Sequence, residues 1–172
     1  MTNPFAALGT LFESLAIDHA LIGGHAVNVW LEPRLTADVD LTIEADPNQL
    51  ARLEQALDEL GFTLATSIGK DSSGPDFLRF RSSTGSVVLE LQAAKTAFQR
   101  EVIRRAIPTD EGLRVATPED LIVLKLIASR PRDEIDLLGL CALPSLDWDY
   151  VNRWAREWEV VETLRRVRDR VR

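Results

Sequence analysis

Two aspartates one residue apart, Asp38 and Asp40, lie in a stretch where Val39, Leu41 and Ile43 alternate with Asp38, Asp40 and Thr42. That alternation predicts a strand, on which side chains two apart share a face roughly 6.5 to 7 Å from each other along the backbone. Two carboxylates on one face repel unless a cation lies between them. A hard divalent ion, Mg²⁺ or Mn²⁺, meets that need, because it takes one or two protein carboxylates and fills its other positions with water and phosphate oxygens. Two such ions about 3.5 to 4 Å apart can stabilise the entering and leaving oxygens of a phosphoryl displacement.

Upstream, Leu21-Ile22 reads as a short buried strand, Gly23-Gly24 as a tight turn, and His25 to Leu31 as a helix of about two turns that Pro33 ends. Thirteen residues separate Gly24 from Asp38. Glycines without a Cβ let backbone N–H groups approach a ligand closely, and the helix that follows aims its amides and dipole at the same place. A nucleoside triphosphate would sit between this turn and an ion on Asp38 and Asp40. His25 is either a structural helix-start residue or a base. Taken singly, a Gly-Gly pair is an ordinary turn and an Asp-x-Asp an ordinary wet strand face. Their order and spacing make the catalytic or metal-binding reading.

Further along, Ser86 to Gln92 reads as the second strand of a hairpin with Phe77 to Arg81, turning at Thr84-Gly85. Glu90 lies among hydrophobic residues there, on a strand expected to be central. A buried carboxylate without a partner is costly, so Glu90 needs a cation; the alternative is an exposed glutamate on a half-wet strand. Lys125 is the one charge inside the apolar run Leu121 to Ile127, and it either snorkels to the surface or meets an anion. Asp133 and Asp136 are one helical turn apart and share a face, and an Arg-Asp pair such as Arg132-Asp133 also serves as a helix cap with a salt bridge. Cys141, in LLGLCAL, is a core residue rather than a nucleophile.

The elements that must hold these residues follow in order. Pro4 to Ala16 forms an opening helix, with Asn3 as its cap and Phe5, Leu8, Leu11, Phe12 and Leu15 on one face. Asp46-Pro47 starts a helix to about Leu60, with Leu50, Leu53, Leu57 and Leu60 as its stripe and Gly61 as its stop. Phe62 to Ile68 is a strand and Gly69 to Asp76 a polar, mobile loop. Thr96 to Arg105 is a basic helix, and one or two short strands flank the Asp110-Glu111-Gly112 turn. Thr117-Pro118-Glu119-Asp120 is a strong helix start. Asp147 opens a helix carrying Trp154 and Trp158, expected as core or interface packing, and Glu159 to Arg172 is a final Arg-rich helix. The organisation expected is a core over residues 1–116 and a C-terminal helical part over 117–172.

Composition sets outer limits. The chain has 172 residues, 45% of them hydrophobic, enough for one ordinary core. No apolar run approaches the length of a membrane span, and the N-terminus has no basic region of a signal peptide. One cysteine excludes an internal disulfide and favours the cytoplasm. A net charge of −7 argues against indiscriminate nucleic-acid binding, yet residues 152–172 hold seven arginines against four acids. That basic end is either a solvated helix or a place to hold RNA.

The string Gly23-Gly24-His25-Ala26 followed by Arg34-x-Thr36-x-Asp38-x-Asp40 resembles the hallmark of the polymerase β-like nucleotidyltransferase superfamily, in its branch of AbiEii-type and MenT-type toxins. Lys125-Leu126-Ile127-Ala128-Ser129-Arg130 and Arg132-Asp133-Glu134-Ile135-Asp136-Leu137 resemble two further motifs of that branch. The resemblance implies an α/β (α+β) nucleotidyltransferase fold, a mixed β-sheet flanked by helices with C-terminal helices. It implies that Asp38, Asp40 and a third carboxylate, Glu90, hold Mg²⁺ or Mn²⁺. It also implies that Gly23, Gly24, His25, Arg34, Thr36 and Lys125 bind the nucleotide, and that Asp133 assists the chemistry or holds the site together. The activity implied is transfer of a nucleotide from a nucleoside triphosphate to RNA, a tRNA end included, or to a protein, by a toxin with a cognate antitoxin partner. A non-catalytic member that binds nucleotide or a partner protein, and an antitoxin-like modifying enzyme, are the alternatives.

Overall fold

The computed structural model describes residues 4–69, 71–110 and 112–171. The chain divides into two compact units, one of Met1–His25 with Leu35–Ala116, the other of Ala26–Arg34 with Thr117–Arg172.

In the first unit a seven-stranded mixed sheet is built from β1 (Asp18–Ile22), β2 (Asp38–Glu44), β3 (Phe62–Ile68), β4 (Phe77–Ser82), β5 (Val88–Ala93), β6 (Ile107–Pro108) and β7 (Arg114–Val115). The strands lie in the order β3-β4-β5-β2-β1-β7-β6. Two pairings are parallel, β2 with β5 and β1 with β7, and the rest antiparallel. The period-two pattern explains the interior strands, since Leu41, Ile43, Leu89 and Leu91 are each at most 2% exposed. Strand β1 starts three residues earlier than the alternation suggested, because His19 and Ala20 are buried, His19 against the ring of Phe12.

Helix α1 (Pro4–Ser14) buries Leu8 and Phe12, while the proposed Asn3 cap lies outside the described residues. Helix α3 (Pro47–Glu59) begins with a capping box in which the Asp46 carboxylate accepts from Gln49 N at 2.9 Å and the Gln49 side chain accepts from Asp46 N at 2.8 Å. Leu50, Leu53 and Leu57 form its buried stripe, but Leu60 falls on the C-cap and stays half exposed. Helix α4 (Ala97–Arg105) carries the same box, made by Thr96 and Gln99, and packs on β1 and β2. The polar stretch before β4 is tied down by Lys95, which donates to Gly74 O at 2.9 Å and pairs with Asp71 and Asp76. Of the polar segments read from the sequence, Lys70 and Glu111 lie outside the described residues.

Helix α2 (Gly23–Trp30) starts in the first unit and runs into the second, which also contains α5 (Pro118–Ala128), α6 (Asp133–Cys141), α7 (Trp148–Glu157) and α8 (Val161–Val171). Beyond its acidic first turn helix α5 is apolar but for Lys125 and correspondingly buried, with Leu121, Ile122, Val123 and Leu126 at most 1% exposed. It packs on α6 and α7, and α6 packs on α8. Trp154 is buried whereas Trp158, one turn on, is 37% exposed, so the two tryptophans do not share a role. Helix α8 starts at Val161 rather than at Glu159, because Glu159 takes a left-handed φ of 56°.

Candidate active site

Strand β1 ends at Ile22 and α2 begins at Gly23 with no intervening loop. Gly23 makes the reversal at φ +67°, and a Cβ there would overlap the Asp40 carboxylate. A Cβ on Gly24 would lie 2.6 Å from Thr36 Oγ1. The two glycines therefore let Asp40 and Thr36 lie directly against the first turn of α2, the positive end of the helix dipole. His25, the next residue, meets the ring of Phe5 edge-on at 5.0 Å between centroids.

Asp38 and Asp40 are both half-buried on β2, on the same strand face as the fully buried Thr42. Among the described residues the Asp38 carboxylate has no ion pair or hydrogen bond. Across the sheet, Ile22 pairs with Asp40, Asp40 with Glu90, and Glu90 with Arg79, so one row crosses four strands. The cation that Glu90 requires is supplied by Arg79: Nε donates to Glu90 Oε1 at 2.8 Å and Nη2 lies 2.6 Å from the same oxygen. The Arg79 guanidinium also stands over the ring of Phe77, 5.6 Å from its centroid. Sequence reasoning missed Arg79. The signal was available in the hairpin, whose turn at Thr84-Gly85 sets Arg79 opposite Glu90.

Among the described residues no group of three or more His, Cys, Asp or Glu side chains is assembled for a metal. Asp38 and Asp40 nonetheless fit a magnesium-type ion. They are hard oxygen donors, and two carboxylates suffice where substrate phosphates and water complete the shell.

The other residues singled out in the sequence lie in the second unit. Lys125 is 4% exposed, and its Nζ pairs with Asp133 Oδ1 at 3.0 Å and with Asp136 Oδ2 at 2.6 Å. Arg34 forks onto Asp136, Nε to Oδ1 at 3.0 Å and Nη2 to Oδ2 at 2.7 Å, and Arg130 Nε donates to Asp133 Oδ2 at 2.8 Å. Arg34 is also held through its backbone by both ends of the Asn28 amide. The result is a chain of alternating charge, Arg130–Asp133–Lys125–Asp136–Arg34, with one positive charge in excess. Burial works to raise the pKa of Asp133, but hydrogen bonds from Arg130 and Lys125 outweigh it and hold the carboxyl below its ordinary range. Asp136 is held low in the same way, by Arg34 and Lys125 against burial. Of the two sequence alternatives for Lys125, it meets an anion rather than snorkelling. Asp136 as the partner of Arg34 was not foreseen, since 102 positions separate them.

Lys125 further lines a cleft of about 610 Å³ within the second unit, together with Ser129, Arg130, Thr163, Arg166 and Arg170. Other buried polar groups there are structural. Asp120 accepts from the Tyr150 hydroxyl and from Thr117, and Glu119 accepts from Asp147 N at 3.0 Å.

A mixed sheet with an acidic pair on one interior strand, set against a Gly-Gly helix start, defines a nucleotidyltransferase of the polymerase β-like fold. The model of the nucleotidyl transferase AbiEii toxin family, of type IV toxin–antitoxin systems, matches residues 7–159, and the chain belongs to this family. It is thereby a nucleotidyltransferase. Solved structures share the fold. The antibiotic-resistance factor ANT(2'')-Ia has a TM-score of 0.60 at 14% identity over 95% of each chain. An antigenic nucleotidyltransferase-like protein from Paracoccidioides brasiliensis gives 0.55 at 20% identity, covering 93% of this chain and 89% of that one. A nucleotidyltransferase described as putative, from Helicobacter pylori, gives 0.55 at 19% identity, covering 96% and 79%. No curated protein matches the chain by sequence. No helix among the described residues is long and apolar enough to cross a membrane.

Proposed function

We propose that this chain transfers the nucleotidyl group of a nucleoside triphosphate to a hydroxyl of RNA, a tRNA end being the form of acceptor expected, and acts as a toxin restrained by a cognate antitoxin protein. The observation that carries the reading is the approach of the Asp40 carboxylate to Gly23, which joins an acidic pair to a helix N-terminus. Negative charge on metal ligands and the positive end of a helix dipole at one place suit a metal-bound triphosphate.

Asp38 and Asp40 would hold Mg²⁺ or Mn²⁺, and Glu90, paired with Arg79, stands opposite Asp40 on the neighbouring strand. When bound, the ion supplies electrostatic stabilisation of the charge on the transferring phosphate. The amides of Gly23, Gly24 and His25 receive phosphate oxygens, and Thr36 stands beside them against Gly24. The acceptor oxygen forms a bond to the α-phosphorus, the bond to the bridging oxygen breaks, and pyrophosphate leaves. Positioning and fixed charge are the main contributions of the protein to such a step. Lys125 has three N–H donors and gives two to carboxylates, which leaves one for a phosphate. Asp133 and Asp136 hold the cationic ends of Lys125 and Arg34 in place within the second unit. The arginines of α8, among them Arg166 and Arg170 on a cleft that Glu134 and Asp169 also line, suit an RNA backbone as acceptor.

The test is incubation of purified protein with each labelled nucleoside triphosphate, total tRNA and MgCl₂. Label is expected in RNA, absent with chelator and absent in Asp38→Ala and Asp40→Ala. Labelling by those variants at the wild-type rate would overturn the mechanism, and label on protein alone would replace the acceptor.

A further inference from the structure

We propose that Arg79 is a positioning residue of the transfer reaction: it fixes Glu90 through one carboxylate oxygen, keeps it apart from the metal-binding pair, and leaves its second oxygen to take the acceptor proton. The inference rests on the nucleotidyl-transfer reading above and deepens it.

Adjacent strands are about 4.8 Å apart, so the row Asp40–Glu90–Arg79 places Glu90 between an acid on one side and a base on the other. Without the arginine, Glu90 would be a third carboxylate next to Asp40 and would be drawn to any cation bound there. With it, Glu90 already has a cation. The contact is lopsided. Both Nε, at 2.8 Å, and Nη2, at 2.6 Å, go to Oε1, and Oε2 accepts nothing among the described residues. A carboxylate gripped by one oxygen is oriented, yet retains lone pairs for a proton on the other. Phe77 under the guanidinium and the partial burial of the pair, 39% and 21% exposed, limit the wandering of both side chains. In the reaction the acceptor oxygen bonds to the α-phosphorus, pyrophosphate departs with the electrons of the broken P–O bond, and the hydroxyl proton passes to Glu90 Oε2.

Two measurements on the intact protein test this. Mn²⁺ binding, followed by electron paramagnetic resonance without nucleotide, should tighten about tenfold in Arg79→Ala, the scale on which partners of ligating groups alter metal affinity. It should return to the wild-type value in Arg79→Ala/Glu90→Gln. In turnover, Arg79→Ala should lower kcat about 100-fold with KM for the nucleotide unchanged, and the double variant should be no slower than Glu90→Gln alone. Arg79→Lys, which keeps the charge without the fork, should fall between and guards against a misfolded alanine variant. Unchanged Mn²⁺ affinity in both Arg79 variants, or multiplicative losses in kcat, would overturn the assignment. A wild type that transfers no nucleotide would defeat the functional reading, while the Mn²⁺ measurement would still decide whether Arg79 restrains Glu90.

Discussion

Lys125 Nζ lies 2.6 Å from Asp136 Oδ2 with both side chains at most 5% exposed, so a full ion pair is held inside the helical unit. Such a pair survives burial because each carboxylate has a second cation: Asp133 is shared with Arg130 and Asp136 with Arg34. Lys125→Met removes the cation and leaves two buried carboxylates with one arginine each. A loss of about 3 kcal/mol in urea unfolding is expected. Lys125→Met/Asp133→Asn should recover part of it, because one carboxylate leaves with the lysine. Equal stability of Lys125→Met and wild type would show that the network contributes nothing.

The same network sets an acid limit. Asp133 and Asp136 are both held below the 3.8 of an unperturbed carboxyl, so the unfolded chain binds protons at a higher pH than the folded one. Their contribution to stability is complete above that value and is lost as the pH falls through the lower, folded-state pKa values. Unfolding midpoints in urea should therefore drop between pH 4.5 and pH 2.5, and the drop should be smaller in Asp133→Asn/Asp136→Asn. A double variant with an undiminished acid dependence would place its origin elsewhere.

His19 sets a second, milder dependence. Its Nδ1 donates to Ile17 O at 3.3 Å and its Nε2 accepts from Arg114 N at 3.2 Å, an arrangement that only the neutral ring satisfies. Burial lowers its pKa from 6.5 against the opposing hydrogen bond to Ile17, with Arg114 lowering it further and Asp18 raising it. The unfolded chain takes up this proton first as the pH falls through 6.5, so stability present above that value declines toward the folded-state pKa. Stability measured from pH 8 to pH 5.5 should fall in the wild type and be flatter in His19→Gln. The same slope in both would exclude His19 as the cause.

What was legible in the sequence was local. Alternation marked β2 and β5, the capping residues Asp46 and Thr117 marked helix starts, and the order of Gly-Gly before Asp-x-Asp marked the turn that lies against Asp40. What escaped was decided by register or by tertiary pairing. Glu90 showed its need for a cation but not that Arg79 meets it, which depends on the strand alignment of β4 with β5. Lys125 showed its need for an anion, yet the Asp136 that answers it also binds Arg34 from a distant segment. The early start of β1 depends on His19 stacking on Phe12, a contact without a period to reveal it.

Gly23 and Gly85 have nearly the same positive φ, +67° and +70°, in different surroundings. A Cβ on Gly85 meets nothing within 4 Å, whereas one on Gly23 runs into the Asp40 carboxylate. The left-handed conformation costs an alanine about 1 to 2 kcal/mol at either place. Both Gly23→Ala and Gly85→Ala should lose that much stability in urea. Only Gly23→Ala should also push Asp40 aside, and a displacement of about 1 Å at a reacting centre is enough to lower turnover about 100-fold. Comparing the two variants separates backbone strain from the geometry of the acidic pair. If Gly85→Ala lost activity to the same degree, the fall in Gly23→Ala would reflect stability alone, and the close approach of Asp40 to the α2 start would have no part in the chemistry.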